Sequence, residues 1–249
     1  MKTIFAAFLA IATTCATAQD TGRRSFPAAG FDRIKLDGCD HVTVGVGPRF
    51  AVTADGRPTS LEAIRAEVRG GILRLMRVPR TCDTRAGMPS AEIAVTLPRL
   101  RGVTIAGTGN MRLGPVDTAS FDAALSGTGN LDMAGLRASY AGVDLSGTGN
   151  VTLRAVKTER LLLDLGGTGQ ITAEGSTGAL ALDAGGTGTI DTRALAAHTV
   201  SVDASGTGSV RARADATARI DASGMGRVAI TGRPRCTVSK SGFARVTCG

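Results

Sequence analysis

Five aspartates, Asp144, Asp164, Asp183, Asp203 and Asp221, recur at one offset before a repeated Gly-x-Gly element. Aligned carboxylates are suited to two kinds of chemistry. Several carboxylate oxygens on one face suit a hard cation such as calcium. A pair such as Asp144 and Asp164 could also act as general acid and base on a polysaccharide. The competing reading is structural: a polar column that hydrogen-bonds to Thr, Arg or turn amides and keeps one face wetted. Because the five positions are equivalent, nothing singles out one pair as acid and base. Aromatic residues make up only 3% of the chain, too few to build sugar-stacking platforms. The structural reading outweighs both alternatives. No catalytic residue is assigned, and the Asp column stands as the candidate metal site.

Other constellations are sparse. His41 and His198 are the only histidines, and no Cys-x-x-Cys pair occurs, so a zinc site is not expected. One Gly-x-Gly alone would suggest a dinucleotide loop, but seven copies without following helices argue against that, and no cofactor is assigned. A second column, Asn110, Asn130, Asn150, Gln170, Thr189 and Ser209, follows the turn and suits amide-on-amide stacking. A third, Thr108, Thr128, Thr148, Thr168, Thr187 and Thr207, sits at the turn tip. It offers a regular file of methyls and hydroxyls to a repetitive ligand such as ice or a polymer, although turn chemistry alone explains it.

The elements that position these columns follow from the period. Gly-x-Gly begins at Gly107, Gly127, Gly147, Gly167, Gly186, Gly206 and Gly224, in steps of 20, 20, 20, 19, 20 and 18. A period in this range marks a solenoid. Ahead of the turn, Ala141, Val143 and Leu145 alternate with polar residues, as do Leu161, Leu163 and Leu165. Behind it come Val151 and Leu153, then Ile171, Ile190 and Val210. Such alternation over short Gly-bounded runs means strands with one buried face. Two short strands per repeat make one coil of an all-β, right-handed parallel β-helix-like solenoid, with coils stacked at about 4.8 Å. Glycine supplies the positive φ or the tight approach that each corner needs.

The 249 residues suffice for one extended domain or two compact ones. Met1-Lys2, the apolar run from Ile4 to Ala12 and Ala16-Thr17-Ala18 read as a secretory signal over residues 1–18, cleaved before Gln19. The apolar run falls short of the roughly 20 residues that span a bilayer, and no other segment could cross one. Thr14 disfavours lipid attachment at Cys15, since a lipobox needs a small Gly, Ala or Ser there. Residues 19–100 read as an N-terminal β cap with a first divergent coil, and residues 101–249 as the repeat array with a capping coil. In the cap, Ile34–Val44 aligns with the repeat, placing Gly38, Cys39 and His41 at the positions of Gly147, Thr148 and Asn150. Strands are expected over Phe50–Asp55, Ile64–Gly70, Ile72–Val78 and Ala91–Leu97, with a helical turn over Thr59–Ala63. The cap should cover the first coil's edge, which would otherwise invite aggregation.

Without the leader four cysteines remain, Cys39, Cys82, Cys236 and Cys248. An even number in an exported chain favours two disulfides, with three connectivities available. Neighbour pairing, Cys39–Cys82 and Cys236–Cys248, is preferred. The second pair would lock the last coil by closing a loop of about a dozen residues, contributing about 2–3 kcal/mol. The formal net charge is +8, and +7 once Lys2 leaves with the leader. The basic residues are scattered, and Tyr140 is the only tyrosine with no tryptophan, so specific nucleic-acid binding is not expected.

The layout resembles a bacterial family known as the putative auto-transporter adhesin head GIN domain. The resemblance rests on Phe31–Val44 (FDRIKLDGCDHVTV), Leu73–Val78 (LRLMRV), Val95–Asn110 (VTLPRLRGVTIAGTGN) and Val143–Leu153 (VDLSGTGNVTL), and covers roughly Phe31 to Val246. No literal Gly-Ile-Asn occurs, and the repeat runs to the last residues without a translocator barrel. The resemblance implies an exported, parallel β-helix-like fold and no established enzymatic activity. The reading favoured is a non-catalytic binding or structural module of the cell envelope, in the periplasm or at the surface. It would meet an envelope, extracellular protein or glycan partner. The alternative is a polysaccharide lyase or hydrolase on the same scaffold.

Overall fold

The computed structural model describes residues 21–78, 82, 85 and 88–249; the leader expected over residues 1–18 lies outside them. The chain opens with β1 (Gly22–Ser25), β2 (Arg33–Asp37), β3 (His41–Val46), β4 (Ala51–Gly56), the short α1 (Pro58–Ala63), β5 (Ile64–Arg69), β6 (Ile72–Arg77) and β7 (Glu92–Leu97). It continues through β8 (Gly102–Ile105), β9 (Asn110–Asp117), β10 (Ser120–Leu125), β11 (Leu131–Leu145), β12 (Asn150–Leu165) and β13 (Gln170–Asp183). Then follow β14 (Thr189–Ala204), β15 (Ser209–Ala222), β16 (Arg227–Gly232), β17 (Arg235–Lys240) and β18 (Arg245–Cys248).

From β8 onward every ladder is parallel and joins one coil to the next, which makes a β-solenoid. Like residues lie over like. Leu145 pairs in register with Leu125 on one side and Leu165 on the other. The file Leu125, Leu145, Leu165, Ala184, Ala204 and Ala222 is at most 7% exposed. Burying one such leucine is worth about 1.5–3 kcal/mol, and each coil contributes several inward residues. Toward the C-terminus the lumen is filled increasingly by alanine, matching the shorter steps there.

Each coil has one face more than the alternation suggests. In β11 the inward-outward pattern breaks at Gly135-Leu136 and again at Ser139-Tyr140, dividing it into three short runs. The middle run, with Leu136 and Ala138 buried, is too short for a period-two signal to show. These two breaks also absorb the irregular steps of 19 and 18. Register shifts fall between Leu153 and Val156, Thr172 and Gly175, and Thr192 and Ala196, while the Gly-x-Gly turn stays aligned.

At that turn the glycines are needed for close approach, since none of them has a positive φ. The amide of Thr148 donates to the Gly127 carbonyl one coil below (3.0 Å), and Thr168 to Gly147 (3.1 Å). A Cβ on Gly147 would fall inside the van der Waals envelope of the Gly127 carbonyl oxygen, and one on Gly149 inside that of Gly129. The backbones themselves stack, which leaves no room for a side chain.

The base of the solenoid has an unexpected order. The divergent coil β2–β3 lies between two coils made later in the chain: β6 and β7 pair with one edge, β8 and β9 with the other. The cap over β6–β7 is antiparallel, with β5 on β6, β4 on β7 and β1 on β4. In the divergent coil Asp40 takes the place of a turn glycine. Arg77, fully buried, grips Asp40 with Nε and Nη2 (2.6–3.0 Å), and the Ala91 amide donates to the same carboxylate at 2.8 Å. Disulfides join Cys39 to Cys82 and Cys236 to Cys248, with Cα–Cα distances of 6.0 and 6.4 Å.

Two stability predictions follow from these contacts. Gly147→Ala should cost about 1–3 kcal/mol or more by overpacking, whereas Thr148→Ala beside it should stay within about 0.5 kcal/mol. Asp40→Ala should cost about 3–5 kcal/mol by stranding the Arg77 guanidinium in the interior. Urea unfolding of the three variants measures all these effects.

Candidate functional site

The Asp column is assembled as its spacing implies. Asp144, Asp164, Asp183, Asp203 and Asp221 pair coil to coil in the parallel ladders. Their surroundings differ from the expected hydrogen bonding to Thr, Arg or turn amides. Asp144, Asp164, Asp183 and Asp203 make no ion pair or side-chain hydrogen bond among the described residues; Asp221 alone meets a base, Arg219 at 3.7 Å. Partial burial, then the charges of Asp183 and Asp144, push the Asp164 carboxyl above the usual carboxylate range. Among the described residues no group of three or more His, Cys, Asp or Glu is arranged to hold a metal ion.

The columns after the turn build a more shaped surface. Asn130 donates both its backbone amide (3.0 Å) and its side-chain amide (2.8 Å) to the Asn110 Oδ1. Asn150 repeats both bonds to the Asn130 Oδ1, each at 3.0 Å. The ladder starts from His41, whose Nδ1 accepts from the Asn110 side chain at 3.2 Å. It stops at Gln170, which turns to Thr172 of its own strand. Thus the amide column locks itself, and its outer edge forms the wall of a groove of about 600 Å³. The groove crosses the coils of β7, β3, β9, β11 and β12, with Glu92, Arg112 and Asp132 along it. Asp132 is paired with Arg154. Neither Glu92 nor Arg112 is in an ion pair or side-chain hydrogen bond among the described residues, so one free carboxylate and one free guanidinium face the groove. Alignment of Ile34–Val44 with the repeat already puts His41 in the asparagine column, but Glu92 escapes a sequence reading because its coil lies outside the regular repeat. A shared offset from the turn reveals the asparagines and nothing about Glu92.

A second, shallower trough of about 550 Å³ lies beside the Asp column. Its floor is Ala179, Ala181 and Ser201, and Arg160, Arg219 and Arg235 stand on its rim. The Thr column is exposed throughout, from Thr108 to Thr207, and only its last two members, Thr187 and Thr207, line a hollow.

The raised Asp164 value has a testable sign. The folded chain holds that proton more tightly than the unfolded chain. Stability from this group is therefore present below the ordinary value of 3.8 and lost as pH rises through the folded one. Asp164→Asn should raise the melting temperature at neutral pH, with the gain shrinking as acid protonates the wild-type carboxyl. Calorimetric scans of both proteins across that range read the difference.

A family described as "Putative auto-transporter adhesin, head GIN domain" matches residues 30–234. No curated protein matches the chain. Solved structures share its fold. A "putative lipid binding protein" from Parabacteroides distasonis ATCC 8503 is 15% identical with a TM-score of 0.80, covering 91% of this chain and 96% of its own. A "putative adhesin" from Bacteroides fragilis NCTC 9343 is 18% identical with a TM-score of 0.68, covering 92% and 97%. A third, a "putative adhesin" from Parabacteroides merdae ATCC 43184, is 14% identical with a TM-score of 0.75, covering 91% and 95%. At such identities the likeness establishes the fold alone.

Proposed function

We propose a role from one premise: this chain belongs to the auto-transporter adhesin head GIN domain family. The family, the two disulfides and the lack, among the described residues, of a helix long and apolar enough to cross a membrane fit an exported protein. The role is that of a non-catalytic binding module of the cell envelope. The observation that carries it is the groove at the asparagine ladder. Its donors and acceptors recur coil after coil at about 4.8 Å on a backbone that cannot shift. Such a file suits an extended polar ligand, and a hydroxyl-rich glycan chain matches its mixture of amides, the Arg112 guanidinium and the Glu92 carboxylate. Binding of this kind needs little reorganisation, because the side chains that line the wall are already held by one another.

An acid–base role for the Asp column gains nothing from Asp164. Its raised value is what partial burial, and then two flanking carboxylates, impose on a middle member.

The test is a glycan array and isothermal titration with isolated envelope polysaccharide. Arg112→Ala and Glu92→Gln lie on the exposed surface and leave the ladder intact, so both should fold. Each should weaken capture by about tenfold or more, roughly 1.4 kcal/mol. Capture unchanged in both variants, or polymer cleavage by the wild type, would refute the reading.

A further inference from the structure

The last two coils break the pattern of the turn tip. Six coils carry Thr there, from Thr108 to Thr207, but the next two carry Met225 and Phe243. Register confirms the equivalence, since Arg227 follows Ser209 in the ladder and Arg245 follows Arg227. Met225 is 66% exposed and Phe243 is 90% exposed, the two most exposed large apolar side chains among the described residues. A turn needs neither of them: Thr serves the same backbone bond elsewhere, and the Met225 amide makes it as usual to the Gly206 carbonyl at 3.1 Å.

Past the last aspartate of the column the sequence is one-sided in charge. After Asp221 the sequence holds Arg227, Arg233, Arg235, Lys240 and Arg245 and no acidic residue. None of the five is in an ion pair or side-chain hydrogen bond among the described residues, although Arg residues elsewhere on the solenoid commonly pair with Asp. Arg227 and Arg245 line the shallow hollow beside Met225 and Phe243. β17 and β18 pair only with the preceding coil, and Val238, in a lumen column, is 47% exposed. Arg235 and Lys240 on the outer edge discourage a second copy from adding there, since two such edges would bring like charges together.

We propose that this C-terminal tip docks on an anionic lipid surface. Phe243 and Met225 enter the headgroup–acyl boundary, and Arg227 and Arg245 beside them lie against lipid phosphates. An exposed aromatic at a loop apex flanked by the unpaired Arg227 and Arg245 fits a surface that is apolar within and negative outside. An acidic protein would match the cations but leave Phe243 at 90% exposure without a purpose. The site is separate from the groove at the asparagine ladder and does not depend on a ligand there.

The experiment is vesicle co-sedimentation of the purified chain. Probes are phosphatidylcholine vesicles and phosphatidylcholine vesicles with about 30% phosphatidylglycerol, at low and high salt. Wild type should partition onto the anionic vesicles only, and the partition should fall by about tenfold between roughly 0.05 M and 0.5 M salt as screening shortens. Phe243→Ser with Met225→Thr should reduce partition by about tenfold or more, as should Arg227→Gln with Arg245→Gln. Arg112→Ala should leave it unchanged. All four sites are exposed, and an unchanged melting temperature excludes misfolding as the cause. No partition onto either vesicle, or partition indifferent to both paired variants, overturns the proposal. Retention on a polyaspartate resin without vesicle binding would assign the cations to an acidic protein and equally overturn it.

Discussion

Backbone stacked directly on backbone at the Gly-Thr-Gly turn is the contact from which the remaining geometry follows. The amide at the tip reaches a carbonyl one coil below, from Thr108 onto Gly38 through to Met225 onto Gly206. That bond exists only if both flanking residues lack a Cβ. With the turns pinned, the strands on either side must start in the same register in every coil. Inward residues then fall into continuous apolar files, and the outward ones into columns of like chemistry. A hydrogen-bonded asparagine ladder and a file of unpaired carboxylates are both products of this one alignment, although the first satisfies itself and the second does not.

Much of this was legible in the sequence, for physical reasons that also set its limits. Alternation at Ala141, Val143 and Leu145 exposes a buried face directly, and equal offsets from Gly-x-Gly place Asp164 between Asp144 and Asp183. The middle face of each coil leaves no comparable trace, because Leu136 and Ala138 form a run too short to display a period. The stacking of β6–β7 beneath β2–β3 is hidden as well. Nothing local distinguishes a coil that lies below its predecessor from one that lies above. The groove escapes for a related reason: His41 can be aligned with the asparagine column, but Glu92 joins it only through that non-sequential stacking. Met225 and Phe243 are visible as departures from Thr, but their meaning depends on exposure, which the alignment alone does not give.

The wall and the surface are thus under different constraints. Inward positions and turn glycines are fixed by packing and by backbone approach, while outward positions answer only to solvent and to their neighbours in the column. One side of the solenoid can carry amides, another carboxylates, and the far end cations with two bulky apolar tips, without altering the frame that bears them. Length changes are confined in the same way. They collect at the corners beyond the turn, where Gly175 at φ 129° and Ala155 at φ 46° mark a backbone that departs from regular strand geometry.

The position of β2–β3 carries a consequence for how the molecule assembles. A chain emerging N-terminus first delivers this winding before either of its neighbours. It must wait with both flanks bare while β6–β7 closes one side and β8–β9 the other. Growth therefore cannot proceed as a simple ratchet from the first residue. The Asp40–Arg77 clasp and the Cys39–Cys82 bridge both join the early winding to the first of its late-arriving neighbours, so oxidation would commit the nucleus on which the rest of the tube is wound.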